Sequence, residues 1–101
     1  MAYESAPVDA LLATAAGDDP ALMHDLHLAF LGSAEDQYRA LAMAASIAEW
    51  HMAALRFKGL CVRFGMTEMA DLVGQAIERP LRDPAMLRRI GAMLTSLSAP
   101  R

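Results

Sequence analysis

The sequence predicts an all-α domain: an up-and-down antiparallel four-helix bundle preceded by one additional short N-terminal helix. Three observations carry this expectation. The chain has 101 residues and is 55% apolar, and that fraction is rich in Ala, Leu and Met and poor in β-branched residues, which favours helix over sheet. Apolar side chains return every three or four positions through most of the chain, the period of a helix with one buried face. Two Asp-Pro pairs, Asp19-Pro20 and Asp83-Pro84, join a capping side chain to a residue preorganised for the first helical position. A chain this long buries about two thirds of its unfolded surface, so one core is expected without staples. Residues 1–101 are therefore read as a single domain, with 1–7 and 98–101 as frayed tails.

The elements follow from the breakers. Residues 8–16 carry Val8, Leu11, Leu12 and Ala15 on one face, and Gly17 stands where a glycine ends a helix. Asp19 and Pro20 open the next helix. Ser33 and Asp36 have the spacing of a capping box, but Leu22, Leu26, Phe30, Ala34, Tyr38, Leu41 and Ala45 step straight through Gly32-Ser33 without losing phase. One long helix over 20–45, bent at most at Gly32, is the expectation. After a short connection at 45–48 comes a helix to about Phe64, with Trp50, Ala54, Phe57, Cys61 and Phe64 inward and Gly65 beyond its end. Thr67 is expected to cap a helix over 68–78, with Met69, Leu72, Val73 and Ile77 inward. Asp83 and Pro84 open the last helix, which runs to about Leu97. Short connections make neighbouring helices antiparallel.

Composition excludes several functions. A net charge of −3 gives no general attraction to nucleic acid or to a membrane surface. No apolar run approaches the 18 residues that would suggest a membrane span. The opening MAYESAP has neither a basic region nor an apolar run, so no secretory leader is expected. A single cysteine, Cys61, suits a reducing compartment. The expected localisation is cytoplasmic.

The helix AALRFKGLCVRFG, residues 53–65, raises the functional question. Gly59 sits in its interior, where glycine costs roughly 1 kcal/mol relative to alanine. With Trp50, Phe57 and Cys61 inward, the opposite stripe carries Ala48, His51, Met52, Leu55, Gly59 and Val62, flanked by Arg56 and Lys58. An apolar patch with a basic rim reads as a docking surface.

Here the sequence resembles the histidine phosphotransfer (HPt) domain family, over about residues 8–78. VDALLATAAGDDPALMHDLHLAFL is similar to the family's N-terminal helix, its Gly-Asp turn and the start of its long first bundle helix. AALRFKGLCVRFGMTEMADL resembles the family's centre, which is close to A-A-H-x-L-K-G-S-A-x-x-L-G-x-x-x-L-A-x-L. Lys58, Gly59, Gly65, Ala70 and Leu72 match it without a gap, with Ala53 and Ala54 just ahead, while Phe57 and Phe64 replace aliphatic residues. The resemblance implies that the phospho-accepting histidine should stand three residues before the lysine. That position is Leu55, and the small residue usual after the glycine is Leu60. Leucine has no nucleophile for attack on an aspartyl phosphate. The resemblance therefore implies a pseudo-HPt module that binds a response-regulator receiver domain or a histidine kinase without carrying phosphate. Its contacts are expected on Met52, Leu55, Arg56, Lys58, Gly59 and Val62, with His51 at the edge.

Two rival readings stay open. His51 lies one turn before Leu55 and could act as a shifted acceptor, although about 10 Å would then separate its Cα from that of Lys58. Alternatively the bundle is a scaffold, or a homodimer through the Met52–Leu55 patch. His24 and His27, with Asp25, share a helix stretch but lack further placed donors, so no metal is expected. Cys61 is read as a buried hydrophobe and the eight methionines as core filler. No cofactor motif and no catalytic grouping is found, and the chain is not expected to be an enzyme.

Overall fold

The structure, a computed structural model, describes residues 19–98. The expected helix at 8–16 and the tails at 1–7 and 99–101 lie outside the described residues. Those described form four helices and no strand: α1 (Pro20–Ala42), α2 (Ile47–Arg63), α3 (Thr67–Ala76) and α4 (Pro84–Ser98). The helix α1 packs on α2 and α4, and α3 packs on the same two.

Local chemistry sets the boundaries. The carboxylate of Asp19 accepts hydrogen bonds from the N–H groups of Ala21 and Leu22 at 3.1 and 3.2 Å, so the first Asp-Pro signal acts as expected. Through Gly32-Ser33 the helix is continuous. Asp36, rather than serving in a capping box, pairs with Arg39 at 3.1 Å. The box signature lies at the start of α2 instead. Ser46 Oγ accepts from the Glu49 N–H at 3.1 Å, and Glu49 Oε1 accepts from the Ala45 N–H at 2.8 Å. The Ser46 cap fixes the helix start at Ile47, while Glu49 reaches one residue further back than the Ser46 N–H that a capping box would use. At the other end Gly65 adopts φ 70°. The Met66 N–H then reaches the Cys61 carbonyl at 2.8 Å and the Gly65 N–H the Val62 carbonyl at 3.1 Å. Both bonds of a Schellman ending are present, and the left-handed φ explains the glycine.

Several boundaries correct the sequence reading. The helix α1 ends at Ala42, not 45, so Ala45 is exposed and Ala44 takes the buried place in the turn. Thr67 does not cap α3: it is the first helical residue, Met66 holds the cap position, and no side-chain cap is made. The helix stops at Ala76 instead of running to 78. The carbonyl of Asp83 accepts from the Leu87 N–H, while its carboxylate accepts from Arg79 Nε at 3.0 Å. Ser98 belongs to α4 rather than to a frayed tail.

The core is centred on Trp50, Phe30, Phe57, Leu41, Met69, Ile90, Val73 and Cys61, all fully buried. Trp50 Nε1 donates to the Ala76 carbonyl at 2.7 Å, tying α2 to the end of α3. The expected inward phase of α1 holds from Phe30 onward but fails before it. Leu22 is 39% exposed and Leu26 only partly covered. Phe64, just past the end of α2, meets Phe30 with ring centroids 5.5 Å apart, and before that point His27 Nε2 donates to the Leu97 carbonyl of α4 at 3.1 Å. Burial pushes the Cys61 thiol up to about 12 from its ordinary 9.0. Its contribution to stability is complete below pH 9.0 and is lost as the pH rises toward about 12, because the unfolded chain releases a proton that the folded chain keeps.

Candidate partner-docking face

The exposed side of α2 follows from its buried side. Trp50, Ala53, Ala54, Phe57, Leu60 and Cys61 occupy the core side of the helix. Residues one half-turn away are left to solvent. His51, Met52, Leu55, Arg56 and Val62 are all exposed, and Leu55, at 53%, is the most open of the apolar residues among them. The sequence-predicted stripe is thus brought together on one face.

Gly59 lies on this face, partly exposed. Among the described residues, a Cβ placed there would meet only Arg63 Nη1, at 3.8 Å, an ordinary contact with its own helix. No side chain or backbone of another described helix approaches, so close packing among α1–α4 does not account for the glycine. Gly59→Ala is therefore expected to stabilise the fold by about 1 kcal/mol through helix propensity alone. Urea denaturation followed by circular dichroism checks this, and a loss of stability would show that the notch is not open.

Lys58 departs from its expected role. Its side chain turns away from the ridge and lies across Gly74 of α3, with Nζ 3.5 Å and Cε 3.6 Å from where a Cβ of that residue would stand. There it joins Asp71, Glu78 and Arg89 in a polar groove spanning α2, α3 and α4. The cation that does overhang the notch is Arg63, one turn beyond Gly59. The sequence reading missed it, although counting four residues on from Gly59 would have found it. Arg56 borders a shallower groove between α1 and α2 with Ala40, Ala48 and Met52.

The face therefore holds an apolar ridge, a notch at Gly59 and two cations, Arg56 and Arg63, on a chain of net charge −3, with Lys58 turned aside toward α3. Leu55, where the family resemblance would require histidine, offers no lone pair and no proton. His51 sits one turn earlier on the same face. The other histidines lie elsewhere: His24 and His27 are exposed on α1, and His27 Nε2 donates to the Leu97 carbonyl at 3.1 Å. Among the described residues no three of His, Cys, Asp and Glu are grouped so as to hold a metal ion, and no helix is long and apolar enough to cross a membrane.

Compared with known proteins, the chain matches no family model, no curated protein and no solved structure.

Proposed function

We propose that this chain is a pseudo-histidine-phosphotransfer module of two-component signalling. It docks a receiver domain or a histidine kinase and regulates that partner by occupancy, without carrying phosphate. In this reading the four helices form an up-and-down antiparallel bundle. The pairwise contacts of α1 with α2 and α4, and of α3 with the same two, support that order, as do the short connections between α1, α2 and α3.

The single observation that carries the reading is an exposed Leu55 beside a Gly59 that no other described helix approaches. A glycine that weakens its own helix and serves no contact among the described helices fits a surface that another backbone must approach closely. The surrounding cations fit a partner rich in carboxylates, as a receiver's phosphorylation pocket would be. An exposed leucine at the centre of such a face contributes apolar contact where the family's active members would contribute a nucleophile.

A phosphotransfer assay tests this, using a phosphorylated receiver with wild type, Leu55→His and His51→Ala. The expected result is no acid-labile phosphate on wild type or His51→Ala, and its appearance on Leu55→His. His51 is exposed one turn from Leu55, so it is the one imidazole on the face that a sliding partner could reach. Labelled wild type that loses its label in His51→Ala would replace the binding reading with that of a working phosphocarrier.

A further inference from the structure

Met43 and Ile47, at the turn between α1 and α2, are the most exposed large apolar residues described, at 71% and 63%. The sequence reading gave neither a role. Ile47 stands eight residues before Leu55, two steps of four along the row that passes through His51. The rise along the helix puts it about 12 Å from Leu55. A standard interface covers about 800 Å² per partner, a disc of about 16 Å radius. A partner centred on Leu55 therefore covers Ile47 as well.

Charge divides the same face. Arg56 and Arg63 lie in the C-terminal half of α2, whereas the N-terminal half carries one carboxylate, Glu49. That carboxylate accepts the Ala45 N–H at 2.8 Å within the chain. One half is thus apolar and the other basic. A second copy docked by a twofold axis through the basic half would set cations against cations.

We infer that the docking face is bipartite, and that Met43 and Ile47 are its apolar anchor for a receiver domain whose carboxylates meet the Arg56 and Arg63 half. This rests on the proposed receiver-docking reading and adds a division of labour to it. The basic half accelerates encounter, and the apolar half slows departure.

Surface plasmon resonance tests the division, with the receiver domain that binds wild type and at two salt concentrations. Ile47→Ser and Met43→Ser together are expected to raise koff about tenfold and leave the salt dependence of kon unchanged. Arg56→Gln with Arg63→Gln should lower kon and flatten its salt dependence, with koff nearly constant. All four side chains are exposed, so circular dichroism should show each variant folded. Unchanged koff in the Ile47 and Met43 variant would overturn the inference and leave receiver docking standing. Binding by no receiver domain would overturn both. Self-association of wild type that Ile47→Ser abolishes, with receiver binding unaffected, would reassign the patch to a homodimer.

Discussion

Trp50→Ala should cost about 3–5 kcal/mol of folding stability, the range for deleting a large buried aromatic side chain. Domains of this kind are stable by only about 5–15 kcal/mol, so the variant should be partly unfolded at modest urea concentrations. Two losses add. The indole is fully buried at the centre of the core, and its N–H is a tie between α2 and the C-terminal carbonyl of α3, at 2.7 Å. Trp50→Phe separates them. It retains most of the apolar volume and gives up the hydrogen bond. The Ala76 carbonyl keeps its second donor, the Arg79 N–H at 3.1 Å, so that variant should lose only about 1–2 kcal/mol. Urea titration by circular dichroism measures both. A loss below 1 kcal/mol in Trp50→Ala would refute the assignment of Trp50 as the core's centre.

Gly91→Ala is expected to destabilise by about 1–2 kcal/mol despite the better helix propensity of alanine. The reason lies across the α1–α4 interface. The Tyr38 hydroxyl donates to the Leu87 carbonyl at 3.1 Å, and to reach it the phenol crosses the bare backbone of Gly91. A Cβ there would stand 2.9 Å from Tyr38 Oη and 3.3 Å from Cζ. A rigid ring held by a hydrogen bond cannot yield as a flexible chain does, so the clash outweighs the gain in propensity. The same substitution made in a Tyr38→Phe background should cost markedly less, because the closest atom is gone. A double-mutant cycle reads the difference as a coupling energy between the two sites, and strict additivity would rule out the proposed packing. Gly59→Ala and Gly91→Ala are thus the same change with opposite expected signs.

That contrast shows what could be read from the residues. Both glycines interrupt helical patterns, and a linear sequence does not tell which one faces another helix. Helix phase put Gly59 on the outer face correctly, because Trp50, Phe57 and Cys61 define the inner one without ambiguity. Gly91 drew no attention, since its significance depends on a tyrosine 53 positions earlier in the chain. The burial of Trp50, Ala54, Phe57 and Cys61 was legible for the same reason that the exposure of Leu55 was: one period fixes both. Local capping was less so. The Asp19-Pro20 start is clear from the sequence, yet Ser46 has no proline after it to mark the cap, and Thr67 reads as a cap that the chain does not make. Propensity at a cap is worth about 1 kcal/mol, and the tight Schellman turn at Gly65 leads directly into α3, which leaves Thr67 inside the helix.

The candidate face was legible in outline and wrong in detail. Periodicity identifies a row of side chains but not where a long one will lie down. Lys58 has four methylenes to place, and the absence of a side chain at Gly74 lets them settle on α3. Arg63 extends back over the notch that Lys58 was expected to serve. Met43 reads from the sequence as part of a helix over 20–45 and Ile47 as part of the connection at 45–48, so neither stands out as an exposed position on a helix face. With the start placed at Ile47, the exposed row gains Ile47 at its N-terminal end.

The burial of Cys61 has a consequence for how this chain can be watched. Its sulfur is withheld from solvent, and its proton is withheld from ordinary base by the same burial. A thiol reagent needs both access and thiolate, so the native molecule is silent to it. Each labelling event therefore records one opening of the core, and the chain carries its own clock for the parting of α2 from its neighbours.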